Sequence, residues 1–353
     1  LLSHYTLLMP PPSNPTPAVT ATDPSPLDRS RVTVVLPTYN RRESLCRCLR
    51  AVLACDTDSI EVELRILDDG STDGTGDAVA AILRDYAGPI RVRYECQANQ
   101  GAAAARNAAL RDADTDLILF IDDDCEPEPH WIRGLVEAPW APNVGAIAGA
   151  IHSSDSGTWV SRYCRFIRFN EFPPHEDLAP GAEVNFVNTA NCAYRRQALL
   201  EVGGFVTIVR GGAAGEDHHL ARSVLRRGYR MLYEPRARVE HYHRETAALL
   251  TRTFWIRGYA STLVEILWRE QPVPTSGTLP REYLRLLVDV LALLLFPRRV
   301  LKMRRHAATW RDACGFAYLD WARRVARRRG RITMLKEILS GRQTLEHQIP
   351  ADA

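Results

Sequence analysis

Three consecutive carboxylates, Asp122-Asp123-Asp124, follow the apolar run Leu117–Ile121. Held together they repel one another unless a positive group sits among them, and their oxygens suit a hard divalent cation. In extended backbone Asp122 and Asp124 project to the same side. The plainer alternative is a solvated acidic turn leading into Glu126 and Glu128. A second acidic set, Asp68-Asp69-Gly70-Ser71-Thr72-Asp73, closes another strand-like run. An Asp at a strand end can accept hydrogen bonds from a base or ribose, and a glycine lets a ligand approach the backbone. A strand, a turn and a helix cap account equally for Ser71 to Asp73. A third pair, Glu216-Asp217, follows Gly211-Gly212-Ala213-Ala214-Gly215. The glycines predict a mobile segment, at whose end a carboxylate can act as a general base. The same two acids also complement a helix N-terminus.

Basic and imidazole groups accompany these acids. Arg106 lies in an alanine-rich helical stretch opened by Asn99-Gln100-Gly101, and a guanidinium matches phosphate oxygens; an exposed helix surface is the alternative. His241 and His243 follow Tyr233-Glu234-Pro235 and share a side only in extended backbone.

The elements that must position these groups alternate along the chain. Val32–Leu36, Val62–Leu67, Arg91–Tyr94 and Leu117–Ile121 read as strands. Arg41–Ala54, the segment with Val79, Ile82, Leu83 and Tyr86 on one face, and Gly101–Arg111 read as helices. This order predicts an α/β fold, a mostly parallel, doubly wound sheet whose ligands bind beyond the strands' carboxyl ends. Those ends carry Pro37-Thr38-Tyr39-Asn40, Asp68-Asp69-Gly70 and Asp122-Asp123-Asp124. No G-x-G-x-x-G follows the first strand, which disfavours a dinucleotide site. Residues 1–30 are proline-rich and read as a disordered leader without the features of a signal peptide. Residues 31–247 form the expected catalytic domain, divided into 31–125 and a less regular 126–247. Residues 248–353 read as a basic, mostly helical extension.

Charge divides the same way. The 353 residues carry a net charge of +3, but residues 281–342 hold 16 Lys and Arg against 5 Asp and Glu. The remainder holds 29 against 37, so a mildly acidic body bears a strongly basic tail. Eight cysteines without a paired CxxC motif read as reduced thiols, and zinc-ligand spacing is missing. The longest apolar run, Leu286–Phe296, is too short to span a bilayer. A cytoplasmic protein is the expectation, peripheral on the cytoplasmic face of a membrane if the tail binds lipid.

Seven motifs occur in a fixed order. They are Val34-Val35-Leu36-Pro37-Thr38-Tyr39-Asn40; Leu67-Asp68-Asp69-Gly70-Ser71-Thr72-Asp73; Asn99-Gln100-Gly101 with Ala105-Arg106-Asn107; and Phe120-Ile121-Asp122-Asp123-Asp124. Asn191-Cys192-Ala193-Tyr194-Arg195-Arg196 with Gly203-Gly204-Phe205, Gly215-Glu216-Asp217-His218-His219-Leu220 and Pro235–His241 complete the series. Together they resemble family 2 glycosyltransferases of the GT-A fold over roughly residues 31–247. The resemblance implies an inverting enzyme that moves a sugar from a nucleotide-diphosphate donor, most often UDP-linked, to an acceptor hydroxyl. It implies that Pro37, Thr38, Tyr39, Asp68, Asp69, Asn99, Arg106, Asp122 and Asp123 serve the nucleotide sugar. Asp122 and Asp124 match the DxD pair that, with His241, holds Mn²⁺ or Mg²⁺; His243 is the alternative imidazole. Asp217 matches the catalytic base with Glu216 as its alternative, and Asn191 and Arg195 fall where the acceptor side begins. His218-His219 departs from many relatives. No processive-synthase QxxRW signature is present, so single addition to a sugar, lipid-linked or small-molecule acceptor is expected.

The basic tail carries a helical stripe of Leu284, Leu287, Val288, Leu291, Leu294 and Leu295, widened by Leu286, Val290 and Leu293 and ended by Pro297. Beside Arg298, Arg299, Lys302, Arg304 and Arg305 it suits an anionic membrane surface. It equally suits a helical lid packed on the enzyme domain. A nucleic-acid-binding protein is the rival the tail suggests, but no nucleic-acid motif accompanies it. A sugar nucleotidyltransferase would need a glycine-rich basic loop where Pro37–Asn40 stands.

Overall fold

The computed structural model describes residues 27–172, 178–207, 215–243, 245–268, 274–275 and 277–342. All but the end of the proline-rich leader, and all of the glycine-rich segment except Gly215, lie outside the described residues.

The first half is a strand–helix alternation: β1 (Arg31–Thr38), α1 (Arg42–Leu53), β2 (Glu61–Asp68), α2 (Thr75–Arg84), β3 (Arg91–Cys96), α3 (Ala102–Asp112) and β4 (Leu117–Ile121). The sheet order β3-β2-β1-β4 is parallel throughout. β-branched residues in β1 and β2 fit a pleated, doubly buried surface. Alternate side chains divide between two cores: Val34, Leu36, Leu64, Ile66, Leu119 and Ile121 join one. Val35, Leu67, Ile118 and Phe120 join the other. Leu45, Cys48, Leu49 and Val52 face inward from α1.

Beyond β4 the chain continues through β5 (Cys125–Pro127), α4 (Trp131–Glu137), β6 (Val144–Ser153), α5 (Trp159–Phe166), β7 (Glu183–Val184), β8 (Asn191–Arg195), α6 (Arg196–Glu201), α7 (Glu216–Arg226) and β9 (Arg230–His241). Here the sheet turns antiparallel: β8 pairs with β4 and β6, and β9 pairs with β5 and β7. Residues 126–247 are thus more regular than their sequence suggests. Within β6, VGAIAGAIHS, a side chain at Gly149 would run into the Asn191 amide and one at Gly145 into Tyr229 and Val224. Close approach demands small residues there, and small residues have low strand propensity.

The helices α8 (Ala247–Leu267), α9 (Thr278–Leu291), α10 (Phe296–Met303) and α11 (Trp310–Leu339) follow, with a 3₁₀ turn at Ala292–Leu295. By contacts the chain divides into two compact units. The first takes the described residues of Leu1–His152, Asn170–Thr207 and Glu216–His241. The second takes those of Ser153–Phe169, Ile208–Gly215 and Tyr242–Ala353, so α5 belongs with the C-terminal helices. Within the second unit α8 and α11 touch backbone to backbone. A Cβ on Gly258 or on Gly330 would lie 2.1 Å from a carbonyl oxygen of the facing helix. Pro297 does not simply end a helix: it sits in the first turn of α10, where its missing N–H costs nothing.

Candidate active site

The loops at the carboxyl ends of β1 and β2 are clasped together. Asn40, at φ +49°, accepts a hydrogen bond from the Thr72 amide at 2.7 Å and donates its own amide to Ser71 Oγ at 2.8 Å. The Arg42 amide donates to Asp73 Oδ2 at 2.9 Å. Asp73 thereby ties α1 to the start of α2, and the α2 N-cap falls on Gly74 rather than on Ser71–Asp73. Asp68 and Asp69 are both buried. Asp68 accepts from the Ser71 amide at 2.7 Å and from the Tyr94 hydroxyl. Asp69 accepts from Gln97 Nε2, the Gln100 amide and the Gly101 amide at 2.7–2.9 Å. These carboxylates shape the loop that carries Asn99. Tyr39 and Asn99 are exposed on this edge, whereas Pro37 and Thr38 are buried.

The acidic run is a turn, closed by the Cys125 amide on the Asp122 carbonyl at 3.0 Å. The alternation of an extended strand therefore fails: Asp122 turns to Arg106, while Asp123 and Asp124 share Arg41. Asp122 Oδ1 accepts from Arg106 Nη2 at 2.7 Å. Asp123, fully enclosed, accepts from Thr38 Oγ1 at 2.8 Å and from Arg41. Asp124 accepts from Arg41 Nη1 at 2.9 Å. Burial, with Asp124 beside it, pushes the Asp123 carboxyl up to about 6 despite Arg41. Burial works against the Arg41 cation as well, yet Asp123 and Asp124 together hold it more firmly protonated than usual. Arg41 was not among the residues expected here, and the only signal for it is its place directly after Thr38-Tyr39-Asn40.

Arg106 is the buried hub of the site. Its Nη1 donates to Glu216 Oε1 at 2.9 Å while Nη2 holds Asp122, and the Phe205 ring lies 5.5 Å from its guanidinium carbon. It is not on an exposed helix face. Burial and the neighbouring Asp217 raise the Glu216 carboxyl to about 7, with Arg106 pulling the other way. Asp217, half-buried beside it, accepts from the His218 amide at 2.8 Å. The acids at the start of α7 and those after β4 are thus joined through one guanidinium. The next side chain, His218, stacks on Phe186 at 4.1 Å between ring centroids.

His241 ends β9 and stands opposite Cys125 in the β5–β9 pairing. Its Nε2 lies 3.4 Å from Asp124 Oδ1 and 3.1 Å from Asn170 Nδ2. Asp124, Cys125 and His241 bring one ligand atom each within 4.8 Å of one another. Carboxylate and imidazole suit Mn²⁺ or Mg²⁺. The Cys125 thiol does not, since burial holds it protonated. Asp122 is outside this group, and so is His243, whose ring meets Phe169 edge-on within the second unit.

Two expected acceptor-side residues have other work. Asn191 is buried; it accepts from Trp131 Nε1 at 2.7 Å and donates to the Ala150 and Ala237 carbonyls at 2.9 and 2.7 Å. It fastens the antiparallel strands. Arg195 pairs with Leu117, at the amino end of β4, while Asn191 pairs with Ile121. Four residues of strand, about 13 Å, therefore separate Arg195 from the acidic turn. Its guanidinium donates to the Val144 and Ala141 carbonyls instead.

The sequence profile of glycosyl transferase family 2 matches residues 33–203. The glucosyl-dolichyl phosphate glucuronosyltransferase of Haloferax volcanii is 27% identical over 311 residues, 82% of this chain and 95% of that protein. Glycosyltransferase AglE of the same organism is 26% identical over 205 residues, 57% of this chain; the match spans 64% of AglE. The mannosyltransferase PcManGT from Pyrobaculum calidifontis, solved with GDP-Man and Mn²⁺, superposes with a TM-score of 0.56 at 20% identity. That superposition covers 87% of this chain and 89% of PcManGT. The fold is that of a GT-A glycosyltransferase followed by a helical region. Residues 33–203 of the chain carry the glycosyl transferase family 2 pattern that it shares with these glycosyltransferases.

Proposed function

We propose that the chain transfers a single sugar from a nucleotide-diphosphate donor, UDP-linked in the first instance, to an acceptor hydroxyl with inversion. The observation that carries this reading is the Asp122–Arg106–Glu216 bridge, which joins the start of α7 to the DxD turn. A base and a leaving-group site must lie on one reaction centre, and the bridge supports that.

The residues divide the work. Asp217 takes the proton from the acceptor hydroxyl as its oxygen bonds to the anomeric carbon and the bond to the diphosphate breaks. Glu216 keeps its bond to Arg106 and fixes the pitch of α7, which leaves Asp217 as the base. Tyr39 and Asn99, exposed at the loop edge, meet the nucleotide; Thr38, Asp68 and Asp69 shape the loops that present them. Asp124 and His241 would hold Mn²⁺ or Mg²⁺, and Asp122, with one oxygen on Arg106, is the third candidate ligand. When bound, the cation supplies Lewis-acid stabilisation of the leaving diphosphate. Excess acid around the turn supports the fit: burial and neighbouring carboxylates raise Asp123 to about 6 and Glu216 to about 7, and added positive charge would favour their ionised forms. For the acceptor we propose a lipid-linked one, on the strength of the relative that acts on glucosyl-dolichyl phosphate.

A thermal-shift panel of UDP-, GDP- and dTDP-sugars with and without Mn²⁺ tests the donor. One nucleotide stabilising the wild type in a Mn²⁺-dependent way, with the dependence lost in Asp124→Ala, supports the assignment. Equal donor stabilisation of Asp124→Ala with and without Mn²⁺ overturns the ligand role.

A further inference from the structure

Helix α9 is built inside out. Its inner face is charged. Glu282 is 2% exposed and binds Arg328 Nη1 at 2.9 Å, Arg331 Nε at 3.3 Å and Arg285 Nη1 at 2.7 Å. One heptad later Asp289 binds Arg328 Nε at 3.1 Å, and its carbonyl accepts from Trp321 Nε1 at 3.0 Å. At 100° per residue, positions 282 and 289 lie within about 20° of each other. Leu284, Leu287, Val288 and Leu291 centre on the opposite side. All four are more than half exposed, and Leu284 reaches 63%. The ridge runs on into the 3₁₀ turn, where Leu294 is 79% exposed and Leu295 50%. Helices that meet water on their outer side place these residue types the other way round.

The flank of the ridge is cationic. Arg298, Lys302 and Arg305 on and after α10 are exposed and, among the described residues, have no carboxylate partner. The other face of α10, Phe296, Val300 and Met303, joins the core of the helical unit, so these cations are held beside the ridge. Four cations of α11 behave differently. Arg323, Arg324, Arg328 and Arg331 all bind Asp320, Glu282, Asp289 or Glu265. Part of the excess positive charge of residues 281–342, that of Arg298, Lys302 and Arg305, therefore lies next to the leucines.

We propose that α9, the 3₁₀ turn and the start of α10 dock flat into the interface of an anionic lipid bilayer. The ridge enters the acyl boundary, and Arg298, Lys302 and Arg305 stay at the headgroup phosphates. Contiguous apolar exposure calls for a partner, and the adjacent unpaired cations give that partner its sign. The element lies on the membrane rather than across it: no helix among the described residues is long and apolar enough to span one. The proposal rests on the helical unit alone and not on the sugar-transfer reading, so each can fail without the other.

Co-sedimentation of the full chain with phosphatidylcholine vesicles, with and without phosphatidylglycerol, is the test. The wild type binds the anionic vesicles more than tenfold tighter, and added salt weakens the binding. Leu284→Ser/Leu287→Ser/Leu294→Ser loses binding to both vesicle types while its melting temperature and donor hydrolysis stay at wild-type levels. Arg298→Glu/Lys302→Glu/Arg305→Glu loses only the anionic preference. Light scattering after gel filtration separates the rival occupant, a second copy of the chain. A wild-type dimer that the leucine variant splits, without vesicle binding, overturns the proposal. Unchanged vesicle binding by the leucine variant overturns it too.

Discussion

At the carboxyl edge of β4, Asp122, Asp123, Asp124, Glu216 and Asp217 gather around Arg41, Arg106 and His241. On the inner face of α9, Glu282 and Asp289 meet Arg285, Arg328 and Arg331. Both places bury carboxylates, but the first leaves them short of positive charge and the second does not. Glu216 is raised to about 7 by burial and by Asp217. Glu282 pays the same kind of burial cost, yet Arg328 and Arg331 hold it below its ordinary value. A seam that neutralises itself holds helices together. A cluster that does not is short of positive charge, which on the proposed reading a divalent cation would supply.

The largest expected effect comes from Arg106→Ala, which strands Asp122 and Glu216 in a buried site. Loss of a buried partner costs about 3–5 kcal/mol, read as a drop in chemical-denaturation midpoint. Arg106→Lys restores only part, because one ammonium replaces a guanidinium that spans two carboxylates. Next is Gly258→Ala, or equally Gly330→Ala, which drives a methyl into the facing backbone. Overpacking of this kind costs about 1–3 kcal/mol, and the loss falls on the helical unit. Glu282→Gln ranks below both. Its arginine partners are partly exposed and rehydrate, so roughly 1 kcal/mol is expected.

Titration sharpens the comparison through pH, measured in EDTA to keep metals away. Glu216 ionises at about 7 in the fold but near its ordinary 4.5 when unfolded. The unfolded chain therefore releases that proton first, and stability falls as pH rises from about 4.5 to 7. Glu282 is shifted the opposite way from 4.5. Its contribution is complete above that pH and is lost as pH falls through the lower folded value. Glu216→Gln should flatten the first slope and Glu282→Gln the second. Slopes of the same sign at both residues would erase the distinction between the two regions.

The parallel half of the sheet was legible because β1 and β4 are apolar runs and β2 a strand-like one, stopping at Thr38, Asp122 and Asp68. β6 was not, since Gly149 answers to Asn191, and Gly145 to Tyr229 and Val224, contacts that only tertiary structure creates. The acids of the site were legible by type and order, but not by direction. The turn closed on the Asp122 carbonyl sends Asp122 and Asp124 to different partners. Arg41 was missed because a single cation after a loop has no pattern. Arg195 lies away from the acidic turn because antiparallel β8 carries it back to the amino end of β4. The leucine stripe of α9 was visible, but periodicity does not say which face turns inward. Glu282 and Asp289 decide that through arginines some 40 residues away in α11.

The central claim is that Asp217 accepts the acceptor proton at a centre built around the Arg106 bridge. Asp217→Asn, assayed for donor binding and for sugar transfer side by side, tests it most directly. Donor affinity should be unchanged while the transfer rate falls by about 10²–10⁴. Transfer at the wild-type rate would contradict it.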